Sequence, residues 1–194
     1  IRSALSRRAK IWTARLGFAA ARNRRPSLAG QFQPYNHTLP DRYPWLFQLA
    51  ARELGDRENI HILSFGCSDG DEVFALAKYF PGATIKGLDI DPGNIARCRA
   101  RGREESPTRL SFAEASSTRA EPSSVYDALF CLSVLCNGDL TNSGAERCDP
   151  VITFDAFERT VTDFARCLKP GGMLFLHTTN FRFSDTAISA VFDV

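Results

Sequence analysis

Ile62-Leu-Ser-Phe-Gly66-Cys-Ser-Asp-Gly70-Asp-Glu72 decides how this chain reads. An apolar, β-prone run enters a tight turn of small residues, and two acids then open a helix. Small side chains at Gly66, Ser68 and Gly70 let a ligand approach the backbone, and in an open parallel sheet such a turn lies at the carboxyl ends of the strands. An ordinary strand-to-helix turn uses the same residue types, so a companion feature is needed. It comes nineteen residues after Gly70, where Gly87-Leu-Asp89-Ile-Asp91 places an acid at the tip of a second strand. A carboxylate there accepts hydrogen bonds from both ribose hydroxyls of a nucleoside, while Ile90 covers the adenine face. Asp91, before Pro92, reads as a helix cap. Together the two features indicate an adenosine-containing ligand.

The turn also selects among such ligands. Dinucleotide sites carry G-x-G-x-x-G, which lets a helix N-terminus hold a pyrophosphate. Here the turn is Gly66-Cys-Ser-Asp-Gly70, with Asp71 and Glu72 at the helix start. Two carboxylates repel a diphosphate and suit a ligand that bears an ammonium and a sulfonium, as S-adenosylmethionine does. A nicotinamide-dependent dehydrogenase is thereby disfavoured.

Outward from this core the chain alternates short apolar runs with amphipathic stretches, which predicts β-α-β units around a parallel sheet. Strands are expected at residues 60–65, 84–89, 110–113, 128–132 and 173–177, and helices at 44–54, 71–79, 92–101 and 154–168. Lys169-Pro-Gly-Gly172 ends the last helix and resets the chain. The expected fold class is α/β: a three-layer α/β/α sandwich with a mainly parallel, Rossmann-like sheet, truncated at its C-terminal end. Residues 1–25 read as a basic amphipathic helix, so the expected organisation is an N-terminal helical cap over 1–55 and a ligand-binding domain over 56–194. Residues 137–152 read as a loop.

These motifs resemble the class I S-adenosylmethionine-dependent methyltransferases over about residues 60–180. The resemblance rests on the turn Phe65–Gly70, Asp89 at the second strand tip, Tyr126-Asp-Ala-Leu-Phe-Cys131, and Leu168-Lys-Pro-Gly-Gly-Met-Leu174, in this order. Within the class, Gly66–Glu72 and Phe130-Cys-Leu-Ser-Val-Leu135 are most similar to the CheR-type chemotaxis-receptor methyltransferases. The resemblance implies a methyl transfer that consumes S-adenosylmethionine and releases S-adenosylhomocysteine. It implies that Phe65, Gly66, Cys67, Ser68 and Gly70 line the methionine and ribose, and that Glu72 or Asp71 reaches the amino group. It further implies that Asp89 binds the ribose, that Ile90, Ala115 and Ser116 bracket the adenine, and that Cys131 and Leu132 lie under the methionine end. A seven-stranded sheet is implied, of which five strands are placed before Val194. Three departures stand out. Ser64 replaces an acid at the start of the first motif. Ser116 stands where an Asp is common, with Glu114 as an alternative partner for the adenine amino group. Leu132-Ser133 replaces the Arg-Asn of the CheR type and argues against glutamate methylation of proteins.

Methyl transfer is an in-line displacement that needs alignment above all, and a base only if the acceptor must lose a proton. The acceptor is expected beside the strand ends carrying Asn137, His177, Thr178 and Asn180. His177 is the candidate base, the other reading being a histidine held by backbone hydrogen bonds. Tyr35, His37, Tyr43 and Trp45 form either a lid over the site or a packed connection. A non-catalytic cofactor-binding module that recognises a partner remains a second reading of the whole.

Composition supports one ordinary domain: 194 residues, 44% apolar, with no apolar run near the roughly 20 residues that span a bilayer. The six cysteines show no C-x-x-C spacing, no metal site is expected, and the thiols read as reduced in a cytoplasmic compartment. The net charge of +2 conceals an asymmetry. Residues 1–40 hold eight basic residues and no acid, which leaves −6 on the remainder. The basic segment 1–25 is read as a helix packed on the acidic part, a surface for an anionic partner, or an Arg-rich address. Nucleic acid finds no support beyond it. The chain starts at Ile1, which reads as a processed, trimmed or fragmentary start.

Overall fold

The computed structural model describes residues 7–12, 30–55, 57–105 and 108–193, with the backbone alone for 7–12. In chain order the elements are β1 (Arg7–Trp12), α1 (Pro44–Leu54), β2 (His61–Phe65), α2 (Asp71–Tyr79), β3 (Thr84–Asp89), α3 (Pro92–Glu105), β4 (Leu110–Glu114), β5 (Tyr126–Leu132), α4 (Gly138–Ser143), α5 (Phe154–Cys167), β6 (Leu168–His177) and β7 (Phe192–Asp193). They divide into two compact units, residues 37–116 on one side and residues 1–36 with 117–194 on the other.

In the unit of residues 37–116, three parallel strands run in the order β4, β3, β2. Each is followed or preceded by a helix whose apolar stripe covers the sheet. Pro44 begins α1, whose Leu46, Phe47, Ala50 and Leu54 are buried. The α2 stripe is Val73, Phe74, Ala75 and Leu76. Asp91 caps α3 as its position before Pro92 suggested, with Oδ1 accepting from the N–H groups of Gly93 (2.7 Å) and Asn94 (3.1 Å). β2 and β3 pair from His61 opposite Thr84 to Phe65 opposite Leu88, so the turn after Phe65 and the tip at Asp89 emerge at the same edge.

In the other unit, four parallel strands run in the order β5, β6, β1, β7. All seven residues of β5 are buried, as expected of a strand covered on both faces. Phe130 and Phe175 stack across β5 and β6 with ring centroids 4.5 Å apart. Thr153 caps α5 by accepting from Ala156 N–H, and Phe157, Val161, Phe164 and Ala165 form its buried stripe.

All five expected strands are present, but β6 begins at Leu168 and not at residue 173, so Lys169–Gly172, expected to reset the chain before the strand, lies within its irregular first half. Two further expectations are corrected. Residues 7–12 are not helical: β1 pairs with β6 from Arg8 opposite Met173 to Trp12 opposite His177. The ladder supplies partners for the backbone groups along the exposed edge of β6, and six residues of Arg-Arg-Ala-Lys-Ile-Trp carry no helical period to oppose it. The rest of 1–25 lies outside the described residues. Residues 137–152 are not all loop, since Asn137 nucleates α4 by accepting from the N–H groups of Asp139 and Leu140. Among the described residues no helix is long and apolar enough to cross a membrane.

Candidate functional site

The turn between β2 and α2 takes its shape from left-handed residues. Gly66 (φ 76°) and Gly70 (φ 88°) adopt it without cost, and Ser68 adopts it at φ 51°. A non-glycine residue held there is a strained position that the surroundings must impose. Those surroundings are visible. Gly66 N–H and Cys67 N–H both donate to Leu88 O, at 2.7 and 2.9 Å, which ties the turn to the end of β3. Ser68 N–H donates to Asp89 Oδ2 at 2.7 Å. Gly70 has a second reason to lack a side chain, because a Cβ would lie 2.8 Å from Phe74 and 3.0 Å from Cys98 Sγ. Gly87 likewise leaves room for Cys67 Sγ, which a Cβ would meet at 2.9 Å.

Asp89 sits at the tip of β3 and is only 7% exposed. Its Oδ1 accepts from Asp91 N–H and from Asn94 Nδ2, each at 2.9 Å, so three donors hold a carboxylate at the strand end. Such a set fixes the direction of the carboxylate. Ile90 is half-buried beside it. Ala115 N–H donates to Asp89 O at 2.9 Å, which brings the end of β4 to the same edge, and Glu114 stands opposite Asp89 in the ladder. Ala115 is half-buried, and Ser116 and Glu114 are exposed.

The two acids at the start of α2 have different surroundings. Asp71 is bound by Arg101 (Nη1 to Oδ1, 2.9 Å), whose guanidinium also lies over the Phe74 ring at 3.8 Å. Its charge is therefore compensated within the protein, which weakens the sequence argument that both acids face a ligand. Glu72 accepts from Ser64 Oγ at 2.8 Å. Burial pushes its carboxyl from 4.5 to about 7, with the Ser64 hydrogen bond and the charge of Arg42 pulling the other way. Glu72 is the acid that would gain most from a cationic partner. Ser64, where an acid was expected from the resemblance, thus serves as the donor that orients Glu72. Cys67 and Cys98 both turn toward Ser68 O, at 3.8 and 3.2 Å. The Cys98 thiol and burial raise the Cys67 pKa, so this thiol is a packed neutral group, unsuited to act as a nucleophile.

In the other unit, Cys131 and Leu132 are buried at the end of β5. Ser133 follows at φ 60°, and its N–H donates to His177 O at 2.7 Å. His177 is 3% exposed, with Nδ1 and Thr178 Oγ1 2.7 Å apart. Asn137 is held on three sides. Its N–H donates to Asn180 Oδ1 (2.6 Å), its Nδ2 to Phe32 O (3.0 Å), and its Oδ1 caps α4. Tyr35 lies against the Gly138 backbone, where a Cβ would meet the ring at 2.8 Å, and its hydroxyl donates to Asp139. Gln33 Nε2 reaches Cys136 Sγ at 3.2 Å.

Among the expected site residues, the structure groups Phe65 to Gly70, Glu72, Asp89, Ile90 and Ala115 at one edge of one unit, and Cys131, Leu132, His177, Asn137 and Asn180 at strand ends of the other. Of the expected lid residues, Tyr35 belongs to the second unit, while in the first Tyr43 is buried and Trp45 and His37 are exposed. Sequence reasoning passed over Asn94, Arg97, Arg101 and Gln33. The available signal was the spacing of Asn94, Arg97 and Arg101 on one helical face directly after Asp89.

The sequence model of the family described as "Methyltransferase domain" covers residues 63–174, more than half of the chain. No curated protein matches. Among solved structures, phosphoethanolamine N-methyltransferase 2 of Haemonchus contortus, in complex with phosphomonomethylethanolamine and S-adenosylhomocysteine, superposes with a TM-score of 0.53 at 18% identity, over 73% of this chain and 29% of that one. Coclaurine N-methyltransferase bound to N-methylheliamine and S-adenosylhomocysteine gives 0.50 at 13% identity, over 69% and 35%. The [4+2]-cyclase SpnF gives 0.51 at 21% identity, over 67% and 42%. The chain thus spans less than half the length of each of these three. At such identities the likeness establishes the Rossmann-like α/β fold. With more than half of its residues matched by that sequence model, the chain belongs to the methyltransferase-domain family.

Proposed function

We propose that the chain binds S-adenosylmethionine at the edge formed by the turn after β2 and the tip of β3, and that it is the cofactor-binding part of a methyltransferase. The observation that carries this reading is Asp89, a buried carboxylate aimed by three donors at the strand end, beside a turn of small residues pressed close to the backbone. The donor set suits the ligand. Asp89 accepts from ribose hydroxyls, Ile90 and Ala115 offer flat apolar contact to adenine, and Glu72 provides a negative charge whose raised pKa falls when an ammonium approaches. When bound, the cofactor supplies a methyl group on a positively charged sulfur. The chain's own part is to orient it, exclude water and hold the acceptor in line.

The acceptor, a small molecule or a protein side chain, is assigned to the strand ends of His177, Asn137 and Asn180, with His177 as the residue to take a proton from it. The motifs nearest the CheR type support a place near that group, while Leu132-Ser133 separates the chain from glutamate methylation. Residues 56–194 are taken as the cofactor domain and 1–55 as an extension, its basic part facing an anionic partner. The five buried free thiols fit a cytoplasmic setting.

The second reading is a chain that binds the cofactor without transferring methyl groups. The likeness to a [4+2]-cyclase favours keeping it, since the same fold serves another reaction there. Calorimetry with S-adenosylmethionine, followed by a methyl-transfer screen across small-molecule and peptide acceptors, separates the two. Binding with turnover supports the first reading, binding without turnover on any acceptor class supports the second, and tight NAD binding without S-adenosylmethionine binding contradicts both.

A further inference from the structure

The ribose-facing carboxylate is embedded in a closed ring of contacts, and the inference drawn from that ring rests on the cofactor reading above. Asp89 Oδ2 accepts from Ser68 N–H at 2.7 Å, and Oδ1 accepts from Asn94 Nδ2 at 2.9 Å. Asn94 is 3% exposed, and its amide has one usable orientation: its oxygen accepts from Arg97 Nη2, so its NH2 group must face Asp89. Arg97 then reaches Asp69 Oδ1 through both Nε (2.8 Å) and Nη2 (2.7 Å). Asp69 follows Ser68 in the chain, which closes the circuit Asp89, Ser68, Asp69, Arg97, Asn94, Asp89.

We propose that Asn94 and Arg97 are positioning residues for the cofactor: they set the direction of the Asp89 carboxylate and clamp the turn after β2 onto α3, and so determine affinity for the adenosyl moiety without touching it. The chemistry at each place is specific. An aspartate at position 94 would turn a second negative charge on Asp89. Arg97 also neutralises Asp69 at the tip of the turn, where the Asp69 side chain is 41% exposed. Ser68, at φ 51°, belongs to this ring, with its own N–H on Asp89 and the next residue on Arg97.

The test is titration calorimetry with S-adenosylhomocysteine on the wild-type chain, Asn94→Ala, Asn94→Asp, Arg97→Ala, Arg97→Lys, Asp89→Ala and the double variant Asp89→Ala/Asn94→Ala, with thermal unfolding followed in parallel. Both Asn94 variants are expected to weaken binding about tenfold, the worth of a charge-assisted hydrogen bond. Arg97→Ala is expected to cost about threefold, and Arg97→Lys, which keeps the charge but not the planar fork, to recover only part of it. In the Asp89→Ala background, Asn94→Ala should change affinity by less than about twofold, because residues acting through one group are not additive. Asn94→Ala binding like wild type, or its effect adding in full to that of Asp89→Ala, overturns the proposal. If Asn94→Ala does not fold, the Arg97 pair on the exposed side of α3 decides in its place, and unchanged binding by Arg97→Ala overturns the proposal. A wild-type chain that binds no S-adenosylhomocysteine overturns the parent reading and the ring with it. Unaffected variants of a wild type that binds overturn the ring alone.

Discussion

Glu72→Gln is expected to stabilise the free protein and weaken its cofactor binding. Burial raises the Glu72 carboxyl from 4.5 to about 7, so the folded chain holds this proton more tightly than the unfolded chain does. Stability contributed at this site is therefore greatest below pH 4.5 and falls as pH rises toward about 7, where the folded form must ionise a group the protein keeps from water. The full gap corresponds to about 3 kcal/mol at about 1.4 kcal/mol per pH unit. Glu72 is half-buried, and the amide oxygen introduced by Glu72→Gln would still accept from Ser64, so a gain of about 1–2 kcal/mol at about pH 8 is expected. The assay is urea unfolding of both proteins at about pH 5 and about pH 8, taking the difference between them so that all other titrating groups cancel. The variant should exceed wild type by under about 1 kcal/mol at the lower pH and by clearly more at the higher one. The same substitution should lower S-adenosylmethionine affinity at about pH 8 by roughly tenfold, since a charge opposite the ammonium is lost. Equal stability of the two proteins at both pH values would refute the reasoning about burial. Unchanged affinity would refute the assignment of Glu72 to the ligand.

Gly87→Ala places a Cβ 2.9 Å from both Cys67 Sγ and Phe112 Cδ1, so it should cost about 1–3 kcal/mol by chemical denaturation, and no loss would contradict the packing described. Gly138→Ala drives a Cβ into the Tyr35 ring and should release residues 31–36, read as faster chymotryptic cleavage at Phe32 or Tyr35 with the rest of the chain intact. A cleavage rate equal to that of wild type argues against the docking of this segment. Thr118 has a buried hydroxyl without a hydrogen-bond partner, so Thr118→Val should be neutral or stabilise by up to about 1 kcal/mol, and a loss of stability would show that the hydroxyl is bonded.

Much of the fold was legible because its signals are local. β5 is an apolar run broken only by Asp127, α5 carries its stripe at helical spacing, and Asp91 announces α3 by standing before a proline. β1 was not legible, because what makes Arg7–Trp12 a strand is a partner more than 160 residues later, and its own six residues prefer nothing strongly. The helix α4 has only six residues, so its one signal was the Asn137 cap. At the site, the turn and Asp89 were readable from spacing and residue type. The partners of the acids were not. That Arg101 compensates Asp71 while Glu72 is left to Ser64 follows from where α3 packs against the turn, which no local pattern encodes.

The most direct test of the central claim is the affinity of the wild-type chain and of Asp89→Ala for S-adenosylmethionine, measured by titration calorimetry. Measurable binding by wild type, weakened at least about tenfold by the substitution while the fold is retained, is the predicted result. Equal affinity of the two proteins, or no binding by either, would contradict the placement of the cofactor at the tip of β3.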